Sequence, residues 1–363
     1  MYSNCPDSNA RQQGATLVIA LIVVLVVVAL ATRISRDYFV LQRSLQNENE
    51  VQQARAWLRG AESVAKQALL LDLKSGNTTD SSLETWAQPQ KLVLQDGTLS
   101  VCVVDLQSRL NLNDLGTPQS AGYSAAQKRF IRLLQVVNPE HPLDEAAATA
   151  IANAVFDWAD VDSQTRYPGG AEELDYLQQG HNWRPANQGF ASVNELALVA
   201  GIDADLFAAL TPLVSVWGNG NLNVNTLDSE LLWSTASMSM DNKRPQPVLL
   251  RTLNNADSLR PLSVEAAALV AGVRNNAAGV LKSLDVFRQP LLGQQLWDLN
   301  GIGVASDFFQ MSADMQTGSH HQRLVSVLQR SRDAQGKPQI VVKSRTFIAG
   351  GLTGEKDCAA PLH

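Results

Sequence analysis

Between Ala15 and Thr32 the chain carries no charged residue, and this run constrains everything that follows it. At about 18 residues it approaches the ~20 that a helix needs to cross the hydrocarbon core of a bilayer. A secretory signal would have a shorter apolar stretch followed by a small-residue cleavage site. Here the run passes without Pro or Gly into Ile34, Tyr38, Leu41 and Leu45, and then into Ala54, Leu58, Ala61, Val64, Ala65 and Ala68. Steps of three and four keep one helical face apolar over many turns. Gly60 is a break that one helix absorbs, and the stop is Ser75-Gly76-Asn77. The pattern predicts a single helix of roughly 55 residues, ~80 Å long, half of it in a membrane and half against a globular head.

The 363 residues are enough for a real hydrophobic core, and 45% apolar against 18% charged residues excludes wholesale disorder. A net charge of -6 argues against bulk neutralisation of nucleic-acid phosphates. The motifs of catalysis are absent from the sequence: it has no Gly-x-Ser-x-Gly elbow, no His-Glu-x-x-His and no Gly-x-Gly-x-x-Gly after a strand. Gly350-Gly351-Leu352-Thr353-Gly354-Glu355-Lys356 resembles a phosphate loop only superficially, because Glu355 stands where Lys is required.

The residues before the apolar run are Arg11-Gln12-Gln13-Gly14. A short polar leader ending in Gly directly before an apolar helix resembles a type IV prepilin leader. That resemblance implies cleavage by prepilin peptidase between Gly14 and Ala15, and N-methylation of Ala15. Arg11 precedes the span and Arg33, Arg36 and Arg43 follow it, so the positive-inside count does not orient the helix; the leader does. Pilins carry Glu at the fifth mature position, where this chain has Ile19. A carboxylate at membrane depth is costly unless paired, and in pilins its partner is the terminal amine of a neighbouring subunit. Ile19 therefore marks a subunit with no neighbour above it, at a filament tip.

Beyond the helix, Ser75 to Gln90 reads as a mobile polar connection. Lys91–Leu94 and Thr98–Val104 flank Gln95-Asp96-Gly97 as a hairpin. Helical patterns follow: Phe130 to Val137, Ala146 to Trp158, a helix pair within Val193–Leu213, and shorter ones at Asp228–Leu232, Val264–Val273 and Leu281–Phe287. Strands return at Asp307–Met315, Arg323–Arg330 and Gln339–Phe347. The fold class expected is α+β: a pilin-like long N-terminal helix packed on a small antiparallel sheet, with a large all-helical domain inserted in the sheet. The boundaries are 1–14 leader, 15–32 membrane part, 33–115 helix and first strands, 116–303 inserted domain, 304–348 final strands and 349–363 tail.

Two similar segments flank the helical block, Asn111-Leu112-Asn113 within Arg109–Leu115 and Asn221-Leu222-Asn223 within Asn221–Leu227. Each reads as a short strand whose amides bond neighbouring loops or cap the next helix. Leader without Glu, inserted helices and twin Asn-Leu-Asn segments, in that order, resemble the minor pseudopilin K family of type II secretion over almost the whole mature chain. The resemblance implies an inner-membrane, single-span protein with its bulk in the periplasm. It further implies a subunit that caps the pseudopilus tip and helps start assembly with minor pseudopilins I and J, in support of protein export. A minor pilin of a type IV pilus shares the leader logic. So does an uncut anchored protein whose Asn223-Val224-Asn225-Thr226 and paired helices resemble helix-hairpin-helix modules.

Asp157-Trp158-Ala159-Asp160-Val161-Asp162 precedes Gly169-Gly170-Ala171-Glu172-Glu173-Leu174-Asp175. Asp160 and Asp162 fall at a helix end, and a Pro-Gly-Gly loop can fold Glu172 and Asp175 back towards them. Clustered carboxylates in a flexible loop suit a hard cation. This is not an EF-hand, since Gln164 and Thr165 occupy the wrong places, and a solvated acidic loop has the same composition. The family resemblance implies structural Ca²⁺. With Cys5 removed in the leader, Cys102 and Cys358 remain; in an oxidising periplasm they form a disulfide or stay as one buried and one exposed thiol.

Overall fold

A computed structural model describes residues 9–95, 97–116, 122–227, 248–253, 258–276, 280–285, 299–318 and 320–349. Helix α1 spans Asn9–Lys74, 66 residues, longer than the ~55 expected because it starts ahead of Ala15; it runs unbroken through Gly60 and ends before Ser75, as expected. The chain divides into two compact units, Met1–Ala56 and Trp57–His363. In the first, the large apolar side chains from Leu17 to Leu45 are exposed. The helix is long enough to cross a membrane and holds an 18-residue window with a mean hydropathy of 3.0, which fits a transmembrane anchor.

In the second unit, the end of α1 buries Leu58, Ala61, Ala65 and Leu69, positions that share one helical face. Glu62 lies on the same face. It is buried because Arg345 grips it through Nη2 at 2.6 Å and Nε at 2.8 Å, while Ser326 Oγ donates at 2.7 Å. Burial pushes the Glu62 carboxyl up, but the Arg345 and Ser326 hydrogen bonds together with the Arg345 charge outweigh it and hold the group below its usual range.

The sheet has the order β1-β2-β7-β8-β9, all antiparallel. Its strands are β1 Gln90–Leu94, β2 Gly97–Asp105, β7 Phe308–Thr317, β8 His320–Arg332 and β9 Pro338–Ala349. Gly97 is obligatory at the β1–β2 turn, because an added Cβ would meet the Gln316 carbonyl oxygen at 1.9 Å. Strands β2 and β7 are direct neighbours, Asp105 opposite Phe309. Everything from 106 to 307 is thus an excursion between two paired strands, wider at each end than the span of 116–303 read from the sequence.

The excursion has its own core. Helix α2 (Ala125–Val136) opens on a capping box between Ser124 and Gln127 and buries Phe130, Ile131, Leu133 and Leu134. Helix α3 (Glu145–Ala159), capped by Asp144, lays Ala148, Ala152, Val155 and Phe156 against it. Helices α4 (Glu173–Gln178), α5 (Ala204–Leu210) and α6 (Val264–Asn276) are the other α-helices of the block among the described residues. Two buried arginines on α2 pin distant carbonyls: Arg132 donates to Thr252 O at 2.8 Å and Ser258 O, and Arg129 to Asn300 O.

The twin Asn segments work as expected. β3 (Leu110–Asn111) pairs in parallel with β4 (Val214–Ser215), and β5 (Leu222–Asn223) with β6 (Ile302–Gly303). Asn111 caps a 3₁₀ turn, Asn113 reaches the carbonyls of Phe190 and Val216, and Asn225 those of Leu281 and Val304.

Two expectations change. The 75–90 connection is not a loose linker: Thr79, Asp80, Ser81 and Trp86 are buried, because Asp80 is ion-paired to β8. The expected helix pair in Val193–Leu213 is a 3₁₀ turn at Val193–Leu198, then α5, then a 3₁₀ turn at Thr211–Leu213. The Ser192 capping box with Glu195 tightens the first turn, and Pro212, which has no N–H to extend α5, ends that helix and opens the second turn. The helix read at Asp228–Leu232 lies outside the described residues, as does the end of the one at Leu281–Phe287.

Candidate functional site

The acidic loop begins where α3 ends. Asp160 is its C-cap, extended at φ -83 and ψ 174, so the chain turns away and Asp162 reaches the surface. Arg166, the one basic residue between Asp157 and Glu173, folds back under the helix end. Its Nε lies 3.2 Å from Asp157 Oδ1, its Nη2 2.8 Å from Asp160 Oδ2, and its guanidinium 5.6 Å from the Phe156 ring centre. The following turn has room only for glycine: a Cβ on Gly169, at φ +79, would meet Ala150 Cβ at 2.3 Å, and one on Gly170 would meet Asp157 Oδ2 at 2.3 Å. That tight return brings Glu172 to Asp160 and Asp162, each of the three offering an oxygen within 4.8 Å of the others.

The donor set has unmet valence. Asp160 Oδ1 and Asn187 Oδ1 are buried and accept no hydrogen bond, and the buried Glu172 carboxylate has no cationic partner among the described residues. Asn187 lies against Glu172, is held at φ +46, and donates its Nδ2 to Asp162 O at 2.9 Å. Burial, then the charges of Asp157, Asp160 and Asp162, push Glu172 up to about 7. Burial likewise raises Asp157, to about 6, and Asp160. Buried oxygens without donors and without enough positive charge fit a hard divalent ion such as Ca²⁺. Asp175, expected as a ligand, instead accepts the Glu172 N–H at 2.9 Å and Thr165 Oγ1 at 3.3 Å, so it positions Glu172. Arg166 and Asn187 were missed in the sequence, although a lone Arg among five acids was a usable signal.

A second carboxylate group, Asp72, Asp80 and Glu84, already holds a cation. Arg330 of β8 donates Nη1 to both Asp80 oxygens at 2.7 and 2.8 Å and Nη2 to Asp72 at 2.7 Å, and covers the Phe309 ring at 4.6 Å. Next to it, Asp105 at the end of β2 is buried and accepts from Ser306 Oγ at 2.6 Å, Thr226 Oγ1 at 2.6 Å, Asn223 Nδ2 at 3.1 Å and the Gln107 N–H at 2.8 Å. Burial lifts it to about 6 against those bonds. This network ties the ends of the excursion to α1 and β8.

On α1 the face turned away from the sheet is also apolar. Trp57, Val64 (70% exposed) and Leu71 (65% exposed) recur every seven residues, with Gly60 between the first two and open space above it. A seven-residue apolar repeat over a small residue has the spacing on which another helix packs. Gly14 and Ala15 lie within α1, and Ile19 is 62% exposed on it. Cys102 is buried in β2 and disulfide-bonded; Cys358, its expected partner, lies outside the described residues.

A long helix apolar enough to anchor in a membrane, followed by a small antiparallel sheet with a helical block inserted between two neighbouring strands, defines a pilin-like subunit of the α+β class. The family described as type II secretion system (T2SS), protein K, matches residues 108–219. The chain is 30% identical to the type II secretion system protein K of Pseudomonas aeruginosa over 92% of its own length and 93% of that protein. It is 31% identical to that of Klebsiella pneumoniae over 61% of its length and 68% of the relative. It superposes on a chain of the crystal structure of the GspK-GspI-GspJ complex from enterotoxigenic Escherichia coli with a TM-score of 0.65 at 25% identity, covering 84% of this chain and 98% of that one. The chain belongs to the type II secretion system protein K family, and is a minor pseudopilin of that protein-transport machine.

Proposed function

We propose that this subunit occupies the tip of the pseudopilus and starts its assembly with minor pseudopilins I and J, acting by assembly and not by catalysis. The observation that carries the tip position is Ile19: an apolar side chain stands where a subunit inside the filament would present a carboxylate. The 106–307 excursion adds bulk that would obstruct a subunit stacked above. The Trp57–Val64–Leu71 seam is the surface for a partner helix, and the E. coli relative crystallised as a GspK-GspI-GspJ complex. The anchor holds the subunit in the inner membrane, with the second unit in the periplasm. Prepilin peptidase cuts between Gly14 and Ala15, and Ala15 is methylated. A disulfide joins Cys102 to Cys358. Ca²⁺ is held by Asp160, Asp162 and Glu172, with Asn187 Oδ1 completing the donors and Asp175 positioning Glu172; bound there, it would neutralise the loop and fix its shape.

The test is Ile19→Glu together with the intact mass of the native membrane protein. The expected results are a mature chain beginning at N-methylated Ala15, and impaired secretion by the variant with displaced tip assembly. Unchanged secretion and complex formation by Ile19→Glu would overturn the pairing logic; an uncut chain would overturn the maturation.

A further inference from the structure

The acidic loop displays apolar side chains that its own core does not take. Val161 is 86% exposed, Tyr167 89% and Leu174 70%, with Leu177 and Trp183 also open to solvent. They share one region. Val161 sits between Asp160 and Asp162, whose carboxylates lie within 4.8 Å of Glu172, two residues before Leu174. Leu177 is one turn further along α4. Tyr167 follows Arg166, bonded to Asp160. His181 donates its N–H to the Tyr176 carbonyl at 3.0 Å and stacks on Trp183 at 4.3 Å, which carries the surface past the end of α4. The core beneath is already closed by Phe156, Trp158 and Tyr176, all buried.

Nor can the loop collapse over these side chains. Gly169 and Gly170 lie in contact with Ala150 and Asp157, Arg166 is clamped by two carboxylates, and Trp183 Nε1 donates to Leu198 O at 3.0 Å. A rigid surface that shows aromatic and aliphatic groups binds with little ordering cost. Its charge selects the partner. Asp157, Asp160 and Glu172 are buried with Arg166 in the carboxylate cluster. At the surface stand Glu173 and Asp175, with Arg184 3.9 Å from Glu173, and the region keeps a net negative charge with one divalent ion bound. Exposed Tyr and Trp faces add attraction for cations.

We infer that this face of the inserted block is a docking surface for a segment of a partner protein in which Lys or Arg alternates with apolar side chains. Leu174, Leu177 and Val161 receive the apolar groups, Glu173 and Asp175 the charges, and Tyr167 and Trp183 both. This goes beyond the tip assignment and does not depend on it, since the α1 seam, not this face, serves the neighbouring pseudopilins.

The experiment uses the full chain in zwitterionic-lipid nanodiscs, in calcium-containing buffer, with empty nanodiscs as reference. The probes are a short peptide of Lys, Leu and Ser and its counterpart with Glu for every Lys. The Lys peptide is expected to bind, to weaken with salt, and to lose at least about tenfold in affinity on Leu174→Ser/Leu177→Ser. Leu92→Ser/Val93→Ser, on the exposed strand β1, is expected to leave it unchanged. No binding of the Lys peptide, equal binding of the Glu peptide, or full affinity in the Leu174/Leu177 variant would each overturn the inference. Co-purification with I and J in the same variant reports on the tip reading separately.

Discussion

Replacing Arg330 by Met tests whether the root network holds the inserted block in place. Arg330 is buried, and its guanidinium makes three bonds to Asp80 and Asp72 plus one to Ser306 O at 3.2 Å. Asp80 is 1% exposed, and burial already raises its pKa against the opposing Arg330 charge. Met fills part of the volume over Phe309 but leaves a buried carboxylate beside Asp72 and Glu84. Uncovering a buried charge in this way costs about 3–5 kcal/mol, or on the order of 10 °C in Tm for a unit of this size. The loss has a pH signature. A carboxylate raised above its unfolded value is increasingly unfavourable as pH climbs through the folded pKa, so Arg330→Met is expected to be far worse at pH 8 than at pH 5. Differential scanning fluorimetry of the full chain in detergent, with Asp80→Asn and the double variant, completes the cycle. The double variant is expected to recover about 2 kcal/mol or more relative to additivity. A Tm for Arg330→Met close to wild type, or an additive cycle, would refute the reasoning.

Other outcomes are equally specific. Calcium in hundredfold excess over its dissociation constant is expected to stabilise the protein by about 2.7 kcal/mol, an effect lost in Asp160→Asn/Glu172→Gln; an unaltered melting curve with calcium and with chelator would remove the metal. Val64→Glu and Leu71→Glu change exposed sites, so each is expected to shift stability by less than about 0.5 kcal/mol while abolishing co-purification with I and J. Glu62→Gln is expected to flatten the acid limb of stability. The lowered Glu62 pKa contributes stability above the unfolded value that is lost as pH falls through the folded one; an unchanged acid limb would show that Arg345 and Ser326 do not hold the carboxylate.

The elements with strong periodicity were legible in the sequence. The α1 run, the β1–β2 hairpin around its turn, α2, α3 and the three final strands all follow from spacing and turn residues. What was not legible depends on partners distant in sequence. Nothing in Thr79-Asp80-Ser81 announces burial, because the cause is Arg330, on a strand at the other end of the chain. Arg129 and Arg132 look like the polar face of an amphipathic helix until the carbonyls of 252, 258 and 300 arrive. In the acidic loop the clustering of Asp160, Asp162 and Glu172 could be read from the Gly-Gly return. The assignment of Asp175 to Glu172 could not, since a capping box and a ligand call for the same residue type.

The insertion between β2 and β7 sets the order in which this protein can be completed. β2 is made early and pairs with β1 at once, with Leu99 and Val103 awaiting cover, but its second partner, β7, is synthesised some two hundred residues later. Closing so long a loop as a random chain is slow and entropically costly. A block that folds first, with Asp105 and Ser306 drawn to 2.6 Å at its base, shortens the loop to a few residues. If the helical excursion folds first it would serve as an internal chaperone for the sheet: until it is folded, the half-built sheet keeps an open edge, and mutations in the block are expected to be felt first as subunits degraded or aggregated before they reach any filament.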